Sequence, residues 1–217
     1  MKAFFQQFVG VSLLLFATDA PGSTHYVDLN STNATPPYAT WATAAVTIQD
    51  AVDAASPGDT VLVNDGTYAT GGRAVGTNVL LNRLVVDKAV IVQSLNGPTM
   101  AMIQGGGPTG PNAIRCAYLT NSAVLSGFTL TKGATGTNGD FIKELCGGGV
   151  WCASPSTVLS NCVVSANSAY SFGGGLYGGT WNNCTICSNS ASTGGGTYSA
   201  SRQMRSSRAG IWGTRPF

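Results

Sequence analysis

Leu159-Ser160-Asn161-Cys162-Val163-Val164-Ser165-Ala166-Asn167-Ser168-Ala169, followed by Gly173-Gly174-Gly175-Leu176-Tyr177, is written a second time. The second copy is Trp181-Asn182-Asn183-Cys184-Thr185-Ile186-Cys187-Ser188-Asn189-Ser190-Ala191, then Gly194-Gly195-Gly196-Thr197-Tyr198. Asn161 and Asn183, Cys162 and Cys184, and Asn167 and Asn189 are each 22 residues apart. A fainter copy lies upstream at Leu125-Ser126-Gly127-Phe128-Thr129-Leu130-Thr131-Lys132-Gly133, followed by Gly147-Gly148-Gly149-Val150-Trp151. A period of about 20 residues, built from short strands and glycine turns, is the mark of a solenoid. Side chains alternate along a strand, so Cys162 and Val164 share a face, as do Cys184 and Ile186. Stacked in register, Phe128, Cys162 and Cys184 form one interior column and Leu130, Val164 and Ile186 the next. Asn167 and Asn189 are expected at turns with positive φ. The repeat is too short for paired helices and lacks leucine-rich spacing, so it predicts the coil of a parallel β-helix.

Outward from the repeat, Thr24 to Thr70 reads as an end unit. His25 to Leu29 is a strand, and Asn30 to Tyr38 a proline-bearing loop. Thr47 to Ala55 is a short helix with Ile48, Ala51, Val52 and Ala55 on one face. Thr47 followed by Asp50 resembles a capping box. Ser56-Pro57-Gly58-Asp59 stops the helix, Thr60 to Val63 is a strand, and Asn64 to Tyr68 a turn. An amphipathic helix there would cover the core and strand edges that an open solenoid end exposes. Further strands are expected at 83–86, 89–94, 100–104, 113–119 and 123–130. Ala134 to Cys146 reads as a loop inserted into one coil, accounting for the 34 residues from Leu125 to Leu159.

The Asn-Ser-Ala and Gly-Gly-Gly-x-Tyr repeat resembles that of polymorphic outer-membrane proteins and related surface proteins. The helix at Ile48-Gln49, the Pro57-Gly58-Asp59 turn and the strand ending Gly66-Thr67-Tyr68 look like the N-terminal cap of the pectate-lyase-like superfamily. The resemblance covers about Thr24 to Ala200. It implies an all-β fold: a single-stranded, right-handed parallel β-helix (solenoid) with a short N-terminal capping α-helix, over residues 23–200.

Composition bounds the function. Charged residues are 9% and hydrophobic ones 43%, which suits a packed core rather than a solvated chain. The net charge of +2 is carried by the C-terminal end, where Arg202, Arg205, Arg208 and Arg215 have no acidic counterpart. Thr24 to Ala200 holds six basic and eight acidic residues, which gives no electrostatic case for nucleic acid. Met1 to about Gly22 reads as a secretory signal peptide. Lys2 supplies the positive start, and the apolar run Phe8–Ala17 is too short to cross a bilayer as a helix. An exported location, secreted or at the cell surface or outer membrane, follows.

Export permits disulfides among Cys116, Cys146, Cys152, Cys162, Cys184 and Cys187. Neighbouring coils are about 4.8 Å apart, so Cys162 and Cys184 either pair or, slightly favoured, stack as small hydrophobes. Cys146 and Cys152 are candidates for closing the inserted loop. Cys184 and Cys187 should point to opposite faces. One histidine and an unmatched Cys-x-x-Cys argue against a metal site.

The eight body acids are scattered, and no paired Asp-Asp, Gly-His-Gly or Arg-x-Lys motif of the polygalacturonase relatives is present. The sole candidate catalytic constellation is Asp140, Lys143 and Glu144 on the inserted loop, where a solvated loop is the simpler reading. No cofactor is expected, and calcium only if the chain is a lyase. The expected function is a non-catalytic stalk, adhesin or glycan-binding module. Its partner is a polysaccharide or a host or cell-surface glycan. The alternative is a polysaccharide lyase or glycoside hydrolase acting on acidic polysaccharide. A purely structural shell is a third reading. Ser201 to Phe217 abandons the repeat. It reads as a frame-shifted or disordered end of an N-terminal fragment, with the last coil left open to edge-to-edge association. A genuine basic arm is the alternative.

Overall fold

The computed structural model describes residues 22–203. The signal-peptide reading, apart from Gly22, and the tail after Gln203 lie outside the described residues. The strands, numbered in chain order, are β1 (Thr24–Val27), β2 (Thr60–Val63), β3 (Gly66–Tyr68), β4 (Leu81–Val86), β5 (Ile91–Ser94) and β6 (Ala101–Gln104). They continue with β7 (Ile114–Leu119), β8 (Val124–Ser126), β9 (Thr129–Thr131), β10 (Val150–Cys152), β11 (Val158–Ser160) and β12 (Val163–Ser165). The last are β13 (Leu176–Tyr177), β14 (Thr180–Asn182), β15 (Thr185–Cys187), β16 (Thr197–Tyr198) and β17 (Ser201–Arg202).

From β2 onward the chain visits three sheets in turn. Sheet A has the order β1-β2-β5-β8-β11-β14-β17, sheet B β15-β12-β9-β6-β3, and sheet C β16-β13-β10-β7-β4. The pairings between these strands are parallel. The fold is therefore all-β and parallel, compatible with a parallel β-helix solenoid.

The ladder sets the coil length. Thr60, Ile91, Val124, Val158, Thr180 and Ser201 are successive register partners in sheet A. The repeat is thus 31, 33, 34, 22 and 21 residues. The period of 22 holds only at the C-terminal end, so sheets B and C have five strands each rather than the seven coils that this period predicts. In the coil from Val124 to Val158 the extra residues sit mainly at the corner between sheets B and C, whereas the two coils before it gain theirs largely from the six-residue strands β4 and β7 and from the other corners. The loop 132–149 is the longest of five stacked there. Ala134, the expected start of the insertion, still bridges Ser168 on the next coil.

The interior columns are those of the repeat. Tyr68, Ile103, Leu130, Val164 and Ile186 align through sheet B. Val61, Val92, Leu125, Leu159 and Trp181 align through sheet A. Leu125, Leu130, Phe128 and Leu159 are fully buried. Burial of each such side chain contributes about 1.5–3 kcal/mol. The helix α1 (Ile48–Ala54) lays Ile48, Ala51 and Val52 against this core, and Thr47 Oγ1 accepts the Asp50 N–H at 3.1 Å. His25 and Asp59 pair behind it, Nε2 to Oδ2 at 3.0 Å, while Asp59 also accepts the N–H groups of Ser23 and Ser56. Arg202 occupies the inward slot after Trp181, its guanidinium 5.3 Å from the indole centroid, so sheet A runs two residues past Ala200.

Several expectations need correction. Gly66–Tyr68 is a strand rather than part of a turn, because it pairs with β6. Residues 123–130 form two strands, split at Gly127 with φ 81°. Asn167 and Asn189 do not take the positive φ. Ala166 (55°) and Ser188 (54°) do, and the turn throws each asparagine inward. Asn167 Oδ1 accepts the Gly133 N–H at 2.8 Å. Its Nδ2 donates to Leu130 O and to Asn189 Oδ1, both at 3.0 Å, so the amides tie adjacent coils together at the turn. All six cysteines are free. Cys162 and Cys184 stack in the core, and Cys187 is exposed on the other face. Cys146 and Cys152 do not close the loop. Cys152 faces the interior and Cys146 belongs to a cluster outside sheet C.

Candidate functional site

Sheet C carries a second apolar layer on its outer face. In β7, β10, β13 and β16 the residue after each inward side chain is aromatic: Tyr118, Trp151, Tyr177 and Tyr198 are direct register partners. Alternation turns all four outward. Ring centroids are 4.6 Å apart for Tyr118–Trp151, 6.4 Å for Trp151–Tyr177 and 6.0 Å for Tyr177–Tyr198, with interplanar angles of 14°, 5° and 14°. Phe172 stacks on Tyr198 at 4.4 Å, and Phe141 meets Phe172 edge-on at 5.6 Å. Stacked this way, the rings turn faces along the column and edges away from the sheet. Trp151 and Tyr118 are covered, while Tyr198, Phe141 and Ile142 remain 38%, 53% and 39% exposed. Phe172 and Tyr177 are half-buried.

The 132–149 loop forms one wall of this face, and two buried charges fix it. Arg115 is 1% exposed. Its Nε donates to Gly147 O at 2.7 Å, Nη1 to Asn82 Oδ1 at 2.8 Å, and Nη2 to Lys143 O and Cys146 O at 2.6 and 2.8 Å. Burial pulls its pKa down to about 10, which leaves it a cation at neutral pH. Glu144 is buried as well. Its Oε1 accepts the N–H groups of Val79 and Leu80 at 2.6 and 2.9 Å, and Oε2 that of Asp140 at 2.8 Å. Burial raises the Glu144 pKa, but these three N–H bonds outweigh it and hold the carboxyl below its ordinary value. Trp151 Nε1 donates to Ile142 O at 2.9 Å, joining the loop to the column.

The structure places Asp140, Lys143 and Glu144 in one turn, with different roles. Glu144 points inward as an anchor, so the solvated-loop reading fails for it. Asp140 Oδ1 accepts the N–H groups of Lys143 and Ile142 at 2.8 and 3.0 Å, which lowers its pKa and closes the turn. Lys143 lends its carbonyl to Arg115 and is exposed. A glycosidase acid needs a raised pKa to deliver its proton near neutral pH. Both carboxyls here are shifted the other way. Among the described residues no group of three or more His, Cys, Asp or Glu is placed to hold a metal ion. No described helix is long and apolar enough to cross a membrane.

Trp151, Tyr177 and Tyr198 each end a Gly-x-aromatic segment in the sequence, but Tyr118 does not, and only the register shows that the rings align. Arg115 carries no local signal, since its partners lie 28 to 33 residues away. Comparison with known proteins returns no matching family model, no matching curated protein and no matching solved structure.

Proposed function

We propose that this chain is an exported, non-catalytic recognition module of the right-handed, pectate-lyase-like β-helix class, which binds an extended glycan along the outer face of sheet C. The aromatic column carries the reading. Its exposed end offers tyrosine edges and hydroxyls at coil spacing, and no described residue takes a hydrogen bond from the Tyr177 or Tyr198 hydroxyl. Tyrosine serves this role because it joins an apolar body to a polar tip. Phe141 and Ile142 on the clamped loop add an apolar wall. A polysaccharide laid parallel to the solenoid axis would meet Tyr177 and Tyr198 on consecutive coils.

Incubation of the full chain with pectin, alginate and glycosaminoglycans, with and without calcium, tests this. The expected result is saturable binding without cleavage, weakened roughly tenfold or more by the double substitution Tyr177→Ala and Tyr198→Ala. New unsaturated or reducing ends would overturn the non-catalytic reading. Equal binding by the double variant would overturn the site.

A further inference from the structure

A pocket of about 260 Å³ opens beneath the start of α1, where the cap meets β3 and β4. It lies apart from the aromatic face and shares no lining residue with it. Val46, 37% exposed, contributes apolar surface to its lining, and the core residues Tyr68, Leu84 and Ile103, at 5%, 1% and 0% exposed, close its floor. The polar side is built around Arg83. Its Nε donates to Gln104 O at 2.8 Å, and Nη1 donates to Gly71 O. No described residue accepts a bond from Nη2, and no carboxylate lies within ion-pair distance of this guanidinium. Arg73, also on the pocket wall, is already paired with Asp53. Asp50 is the one acidic lining residue, on an exposed position of the cap helix.

A half-buried guanidinium held by two carbonyls through Nε and Nη1 is oriented, and its Nη2 is left to donate to a carboxylate. The size of the pocket, below that of sites for drug-sized molecules, limits the guest to a small ring or short chain. The apolar lining asks for an apolar body. We propose that this pocket binds a small organic carboxylate, its carboxyl on Arg83 and its apolar part against Val46, above the floor formed by Tyr68 and Ile103.

The test is a titration of the full chain with benzoate, followed by NMR shifts of Ile103 and Tyr68. Benzyl alcohol and inorganic phosphate serve as probes lacking the charge and the apolar body. Saturable shifts at those two residues are expected with benzoate, with roughly tenfold weaker binding of either control. Arg83→Gln should weaken benzoate by a similar factor. Because Arg83 also supports two carbonyls, Thr70→Phe provides a second arm. It adds bulk at the exposed rim of the pocket while keeping the Arg83 charge, and should also abolish the shifts. Asp50→Asn should tighten benzoate by about twofold to fivefold, since it removes the opposing charge. Benzyl alcohol or phosphate binding as well as benzoate, unchanged affinity in a folded Arg83→Gln protein, unchanged shifts in Thr70→Phe, or no tightening in Asp50→Asn would each overturn the proposal.

Discussion

Glu144 and Asp59 show how single carboxylates serve this fold. Each accepts backbone N–H groups from segments that no strand pairs, and each has a lowered pKa. For Asp59 the His25 hydrogen bond is the largest cause, followed by the Ser56 N–H. A folded pKa below the unfolded one means stability that is complete above the unfolded value, about 4 for a carboxyl. That stability is lost as pH falls through the folded value. Thermal melts should therefore be flat for these two groups between about pH 5 and 8 and fall below about pH 4. Glu144→Gln should lower stability by roughly 1–3 kcal/mol at neutral pH, because an amide cannot accept all three N–H bonds. It should also flatten the acid limb of the pH profile. An unchanged acid limb would show that Glu144 is not ionised in the fold.

At the scale of the element, the turns are where sequence and structure part. The strand phase was legible because Cys162, Val164, Cys184 and Ile186 repeat an alternation that backbone geometry imposes, and the aliphatic columns followed. The cap helix was legible from the apolar face of Ile48, Ala51 and Val52. The asparagine turn was not. Asn tolerates positive φ, but the coil places the strain on Ala166 and Ser188 so that the amides of Asn167 and Asn189 can reach backbone across the coils. The glycine runs have a similar hidden cause. Gly174 does not have a positive φ; a Cβ there would press into the carbonyl oxygens of Ser190 and Gly195 on the next coil. Gly174→Ala should thus force coils apart, costing about 2 kcal/mol or more in chemical denaturation. Gly97, half-buried but with open space where its Cβ would stand, is the control for general glycine effects. Its alanine variant tests only the positive φ of 88°. The candidate site was half legible for the same reason as the turns. The sequence displays the aromatic residues, but the clamp of Arg115 and Glu144 is made of long-range bonds to backbone, which leave no pattern.

Across the whole molecule, each coil rests on its two neighbours, so stability is approximately a sum of coil and interface terms rather than one uniform quantity. Burial falls along the chain. Leu125 and Val164 are fully buried, while Ile186 is only half-buried and its flanking Thr185 and Cys187 are exposed. Trp181 and Arg202 cover part of the sheet A end with a cation–π contact, a contribution of about 0.5–2 kcal/mol. Two consequences follow. Amide hydrogens of 185–187 should exchange faster than those of 163–165, although both segments form the same ladder, because local opening needs less apolar surface to be exposed. Leu125→Ala should cost about 2–5 kcal/mol and lower protection in the coils on both sides. Ile186→Ala should cost less and confine its effect to β12 and β15. If Ile186→Ala instead collapsed protection throughout the chain, the coils would fold as one cooperative block. The nearest-neighbour picture would then be wrong.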